Sequence, residues 1–196
     1  MQIIFDAQVT PREYHQQGRS FPFPTMHTCH NPACKLPVPP QKHGFYDRNI
    51  IDEEFSGKII IRRYRCPYCG VTFSFLPSFC LPYFQYTLEI IFLTLLCFLG
   101  LDWTARDSLK AITSQFDALF LCRQNIEYYA RRFLANLNLI KVGLRQMLPY
   151  IPLPPSEDKK EVQKIVSIVT SGFSQIHTFS QRFFKQCQHS FMAPLA

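Results

Sequence analysis

Two runs in the first half of the chain, "GFYDRN" (44–49) and "GKIIIRRYRC" (57–66), read as strands separated by the polar "IDEEFS". After Cys69 the side chains of Val71, Thr72, Phe73, Ser74 and Phe75 alternate between apolar and polar, which predicts a third strand. A further short strand is expected at Gln2–Phe5, in a lead segment (1–28) that otherwise lacks periodicity and reads as loosely ordered.

From residue 77 the period changes to that of helices. "YTLEIIFLTLLCFLG" (86–100) predicts one helix closed by Gly100 as its C-cap. "DWTARDSLKAIT" (102–113) predicts a short second helix, with Trp103 anchoring it to the core. A third helix begins near Arg123, where Ile126, Ala130, Phe133, Leu137, Ile140, Leu144 and Met147 form one continuous apolar stripe. The proline-dense "PYIPLPP" (149–155) prevents continuation. A last helix starts at Ser156 as N-cap, with Glu157 and Asp158 in its first turn. Its stripe is Val162, Val166, Val169, Phe173, Ile176 and Phe183, weakened at Gly172 and Ser180. "QCQHSFMAPLA" reads as a frayed tail.

The fold class expected is α+β: a small three-stranded unit over 29–76, a mainly helical region over 77–148, a hinge at 149–155, and a C-terminal helix and tail over 156–196. Two apolar stripes joined by the hinge suggest an antiparallel helical hairpin or self-association, with packing inside the chain favoured. The uncharged "IIFLTLLCFLGL" (90–101) is short of the roughly 20 apolar residues that a bilayer needs, and reads as core with no membrane span.

Charge and cysteine content narrow the function. With 21 Lys and Arg against 14 Asp and Glu the formal charge is +7, which favours an anionic partner, nucleic acid first. No secretory signal is visible in "MQIIFDAQVTPREYH", so a reducing, cytoplasmic setting is expected, in which eight cysteines serve as metal ligands or buried apolar residues rather than disulfides. Cys80, Cys97, Cys122 and Cys187 sit among apolar residues or stand alone.

"CPYC" (66–69) admits two chemistries. A redox dithiol needs a helix beginning at the first cysteine to lower its pKa, whereas a strand pattern follows here. The metal reading has a second pair upstream, in "CHNPACK". Zn²⁺ takes four tetrahedral thiolate or imidazole ligands, commonly from two tight turns on a small β-ribbon. The expected ligands are Cys29, Cys34, Cys66 and Cys69, with Gly70 supplying the positive φ of a knuckle. His30 is an alternative ligand and His27 or His43 a candidate to stand behind the ligands, with a loop position in solvent favoured for all three.

"RYRCPYCGVTFSFLP", preceded by a cysteine pair and followed by "PYFQYTLEII", resembles the N-terminal zinc ribbon of insertion-sequence transposases and of short bacterial transposase-like proteins. The resemblance covers Cys29 to about Trp103 and implies binding of double-stranded DNA near element ends, with a helix-turn-helix after the ribbon. A helix-turn-helix would use the short second helix, the loop "SQFDALFL" and the helix bearing Arg123, Gln124, Tyr128, Arg131 and Arg132. Arg and Gln reach base edges, and Tyr and Arg hold phosphates. Arg123, Glu127 and Arg131 also suit i,i+4 pairing on a solvated face. Arg62, Arg63 and Arg65 form a second basic cluster, with alternation putting Arg63 and Arg65 on one face.

Catalysis is not expected. A transposase of the three-carboxylate type gathers its acids on a strand-rich domain to hold two metal ions. The acids after the ribbon here lie in or beside helical patterns, and no P-loop, nucleophile elbow or HExxH is present. The reading is a non-catalytic, zinc-dependent DNA-binding protein. Its competitors are a zinc-ribbon protein-interaction module working through apolar helices and a CPYC dithiol oxidoreductase.

Overall fold

The computed structural model describes residues 1–34, 36, 38–116, 119–155, 158–173 and 175–194. The chain is α+β, as expected, with one mixed sheet and seven α-helices among the described residues. The sheet has four strands rather than three, in the order β1-β4-β3-β2: β1 (Gln2–Phe5), β2 (Gln41–Ile51), β3 (Ser56–Arg65) and β4 (Thr72–Pro77). β2 and β3 form a long antiparallel hairpin whose register shifts between Lys42 and Gly44, where Gly44 takes φ 101°. β3 pairs antiparallel with β4, and β1 joins β4 in parallel.

The lead segment is not loose. Thr10 caps α1 (Pro11–Gln17) in a reciprocal box with Glu13, with Pro11 in the first turn. Tyr14 is fully buried and its hydroxyl donates to the Ile60 carbonyl at 3.0 Å. Ala7, Tyr14 and Phe21 pack with Ile50, Ile59, Ile61 and Phe79 under the sheet. Thr-Pro-x-Glu at 10–13 was the available signal for this helix.

The helical half shares one larger core. α2 (Leu88–Leu95) passes into a π-helical turn at Leu96–Gly100, where the Leu101 amide reaches back to the Leu96 carbonyl at 2.8 Å. Gly100 does not have the positive φ of the expected C-cap. A Cβ there would stand 3.0 Å from Leu96 and 3.2 Å from Val166, so the glycine lets the segment bearing Val166 approach. α3 spans Ala105–Gln115, capped by Thr104. Trp103 is 41% exposed and is not the core anchor expected; Ala105, Ser108 and Ile112 are the buried residues of this helix.

The third stripe is divided at Asn136 into α4 (Arg123–Ala135) and α5 (Leu137–Met147). Its expected apolar positions from Ile126 to Leu144 are nonetheless buried. The last stripe is also divided, into α6 (Lys159–Ser171) and α7 (Ile176–Cys187), with Gly172 ending α6. The N-cap of α6 is Asp158, whose side chain accepts from the Glu161 amide at 3.0 Å; the expected cap Ser156 lies outside the described residues. The C-terminal tail is folded rather than frayed. Phe191 and Met192 are fully buried, and Arg132 and Asn136 donate to the carbonyls of Met192 and Ala193. Among the described residues no helix is long and apolar enough to cross a membrane, and most of the 90–101 run lies in or against the core.

Candidate metal centre and basic face

β3 ends at Arg65 and delivers Cys66 into a tight turn, which returns at Gly70 and enters β4 at Thr72. The Gly70 amide donates to the Cys66 carbonyl at 3.0 Å, and the Cys66 amide to the Val71 carbonyl at 2.9 Å. Gly70 has φ 73°, which makes glycine the suitable residue at this point of the knuckle. The second turn, at 29–34, is closed by the Cys34 amide on the Asn31 carbonyl at 2.8 Å and by the Ala33 amide on Asn31 Oδ1 at 3.2 Å.

The two turns meet. Cys29 Sγ lies 3.7 Å from Cys69 Sγ, Cys34 Sγ lies 4.0 Å from Cys66 Sγ, and all four sulfurs are within 4.8 Å of one another. Among the described residues this is the one group of three or more metal-ligating side chains gathered so closely. Met26, Tyr64, Phe73 and Phe75 pack beside it, and Cys66 is fully buried. His30 is exposed, its ring facing Phe73 at 6.4 Å, and is not among the converging donors.

The surroundings favour negative charge on one sulfur in particular. Asn31 Nδ2 donates to Cys69 Sγ at 3.5 Å and, with the Val71 amide, holds the Cys69 thiol down to about 6. Burial pushes the Cys29 thiol in the opposite direction, up to about 12. Asn31 was not singled out by sequence reading, although it lies midway between the first two cysteines.

The cationic residues expected around the knuckle divide by environment. Arg65 is exposed and its Nε donates to the Gly70 carbonyl at 3.3 Å; Arg63 is half-buried two residues away. Arg62 is buried, its guanidinium 4.5 Å from the centre of the Phe45 ring and 5.3 Å from that of Tyr64. The expectation that Arg62 meets a phosphate is therefore corrected: on the opposite face of β3, it is a packing residue. A cleft of about 570 Å³ opens beside the knuckle, lined by Lys42, His43, Arg65, Tyr68 and the turn itself, with no acidic residue on its walls. Lys42, His43 and Tyr68 were not among the expected contacts. They reach the site because the β2–β3 register places Gln41 opposite Arg65.

The α4 residues form a separate group, none of which lines this cleft. Arg123, Gln124, Tyr128 and Arg131 are exposed. Arg123 pairs with Glu127 at 2.6 Å, the i,i+4 arrangement. Arg132, expected with them, is half-buried, both Nε and Nη2 donating to the Met192 carbonyl at 3.1 and 2.8 Å. α3 packs against α4, but residues 117 and 118 of the intervening turn lie outside the described residues.

An acidic cleft of about 690 Å³ on another part of the surface was not foreseen. Asp6, Glu13, Asp52, Glu53, Glu89 and His177 line it. Glu89 contacts His177 directly, and Thr87 Oγ1 donates to Asp52 at 2.9 Å. Burial pushes the Glu89 carboxyl up to about 7 and the His177 imidazole below its ordinary value, so both members of the contact favour their neutral forms. The signal in the sequence was a lone acid inside the apolar stretch 86–100 and a histidine beside the stripe residue Ile176.

No curated protein and no solved structure matches the chain. Residues 31–96, which take in β2, β3, β4, α2 and the cysteines at 34, 66 and 69 but not Cys29, match the model of a family described as a domain of unknown function, DUF6431.

Proposed function

We propose that the chain is a non-catalytic, zinc-dependent protein that binds double-stranded DNA through the face around its cysteine knuckle, in the manner of the recognition part of a transposase. The observation that carries this reading is the convergence of four sulfurs beside a cleft walled by cations. A zinc ion with four thiolate ligands at about 2.3 Å sets neighbouring sulfurs about 3.8 Å apart, and the distances of 3.7 and 4.0 Å fit that tetrahedron. Four protein ligands leave no open position for water or substrate, so the ion would be structural. Its part would be to lock the two turns together. The same convergence argues against the dithiol reading, because Cys66 and Cys69 then share their sulfurs with a second pair, and no helix starts at Cys66.

Lys42, Arg65 and Arg63 are the residues assigned to the phosphate backbone, with Tyr68, 60% exposed at the tip of the knuckle, beside them. A transposase-like helix-turn-helix made of α3 and α4 would offer Gln124, Tyr128 and Arg131 as the second contact. The deciding experiment is filter binding of duplex DNA to the zinc-loaded protein over a salt series. Affinity should fall steeply with ionic strength, and Lys42→Ala with Arg65→Ala should flatten the log–log slope by about 2, one for each phosphate contact removed. Absence of duplex binding at low salt, with zinc bound, overturns the DNA reading.

A further inference from the structure

β1 is an edge strand. Its only strand partner among the described residues is β4, and α7 contacts the strand. The hydrogen-bond phase of the parallel pair follows from two contacts: the Met1 nitrogen donates to the Thr72 carbonyl at 2.7 Å, and the Ser74 amide donates to the Met1 carbonyl at 2.9 Å. In a parallel ladder the amide and carbonyl of one residue face the same neighbour, and successive residues alternate. Residues 1, 3 and 5 therefore face β4, which leaves the amide and carbonyl of Gln2 and of Ile4 directed away from the sheet.

Such an edge is normally blunted by a lysine, a proline or a bulge. "QIIF" contains none of these, and its four side chains are only half-buried. Beside it runs a groove of about 380 Å³, with Ile3, Ile4 and Phe73 on the strand side and Arg182, Phe184 and Lys185 of α7 on the other. Arg182 and Lys185 are exposed, His30 also lines the groove, and no acidic residue does.

We propose that this groove is a docking site for an extended acidic peptide segment of a partner protein, which adds to the sheet as a fifth strand against β1. Backbone groups of Gln2 and Ile4 pair with the incoming strand, alternate apolar side chains enter between Ile4 and Phe184, and alternate carboxylates meet Arg182 and Lys185. Charge selects this occupant over a second copy of the chain: edge-to-edge pairing of two β1 strands would bring two Arg182–Lys185 pairs together with nothing acidic between them. The site is independent of the knuckle face, so it can hold or fail whether or not the protein binds DNA.

The test uses the full zinc-loaded chain and a fluorescein-labelled heptapeptide of alternating valine and glutamate, read by anisotropy and by amide hydrogen exchange. Binding with new protection at Gln2 and Ile4 is expected. Replacing the glutamates of the peptide by lysine should abolish it, and N-methylation of its alternate amides should weaken it by about tenfold or more, the loss of at least 1.4 kcal/mol of strand pairing. Arg182→Glu with Lys185→Glu should weaken binding by about tenfold, and because Arg182 also lies 5.7 Å from the centre of the Phe173 ring, Lys185→Ala alone, which leaves that contact in place, should weaken it in the same direction. No binding of the acidic peptide overturns the proposal. Equal binding of the N-methylated peptide also overturns it, since that is charge capture without strand addition. Protection of Gln2 and Ile4 that rises with protein concentration in the absence of peptide overturns it in favour of a second copy.

Discussion

Cys29 Sγ and Cys69 Sγ stand 3.7 Å apart although forty residues separate them in the chain. Four thiols brought together in this way repel one another once ionised, and an ion at their centre removes that repulsion while tying the 29–34 turn to the end of β3. Elemental analysis of purified protein should therefore find one zinc per chain. Cys66→Ser, which alters the one fully buried ligand, should lower this to near zero. The accompanying loss of stability should be several kcal/mol, drawn from the roughly 10 kcal/mol that a structural zinc supplies. Calorimetry with and without a chelator checks the same point: a chelator that leaves the wild-type midpoint unmoved would sink the metal assignment.

Asn31 joins the two turns at one further point, accepting from Ala33 within its own turn and donating to Cys69 in the other. Partners that orient a metal ligand are typically worth 10–100-fold in metal affinity. Asn31→Ala should therefore weaken zinc binding by at least about tenfold in competition with a chromophoric chelator, with the stoichiometry unchanged at saturation. Asn31→Asp should retain the Ala33 turn and yet weaken binding, because a carboxylate beside the Cys69 thiolate repels it where the carboxamide N–H attracts it.

What the sequence made legible was whatever local spacing encodes. The Cys66–Cys69 turn, the positive φ of Gly70, the hairpin that leads into it and the strand that leaves it all follow from short-range patterns. Convergence of Cys29 and Cys34 on that turn is a long-range fact, and only the chemistry of an unfilled thiolate pair pointed to it. The misses share a cause. Asn136 interrupts a seamless apolar stripe because its carboxamide is used by the Arg132 and Ala193 carbonyls, and the second of these lies 57 residues away. Arg62 and Arg132 look like surface cations in one dimension and are spent on an aromatic ring and on a tail carbonyl in three. Gly100 looks like a cap and is a point of helix contact.

Arg132 gives that contrast an experimental form. Its two hydrogen bonds to the Met192 carbonyl hold down a tail whose Phe191 ring sits 5.1 Å from that of Phe179, inside the helical core. A hydrogen bond to a charged group contributes about 1.5–3 kcal/mol, so Arg132→Ala should destabilise the protein by about 2 kcal/mol and expose the tail to limited proteolysis near residue 190. Arg131→Ala, one residue away and exposed, should leave both readouts unchanged while remaining a fair test of DNA affinity.

α5 and α7 approach closely at Gly143. A Cβ built there would lie 2.5 and 2.7 Å from carbons of the Phe183 ring and 3.1 Å from Cys187 Sγ. Phe183 is fully buried and packs against Phe179 and Phe191, so the ring has little room to retreat. Gly143→Ala would improve helix propensity by about 1 kcal/mol on an exposed face. Here overpacking should outweigh that gain, for a net loss of about 1–2 kcal/mol in denaturant titration. Pairing it with Phe183→Leu should recover part of the loss, which a purely local backbone effect would not.

Glu89 and His177 make opposite contributions to the dependence of stability on pH. The Glu89 carboxyl is raised from 4.5 to about 7 by burial, so the folded state holds a proton that the unfolded state has released. Its contribution is complete below about pH 4.5 and is lost as pH rises toward 7. The His177 imidazole is lowered from 6.5, also by burial, so its contribution is complete above about 6.5 and is lost as pH falls. The two slopes have opposite signs: the His177 one lies below about pH 6.5, and the Glu89 one spans the window from about pH 4.5 to 7. His177→Gln should uncover the Glu89 slope, with urea midpoints falling as pH rises through that window. Glu89→Gln should uncover the opposite one, with midpoints falling as pH drops below about 6.5. Both positions are part-exposed, so each change should stay near 1 kcal/mol rather than the full value of the shift. Parallel profiles for the two variants would show that the pair does not carry the titration.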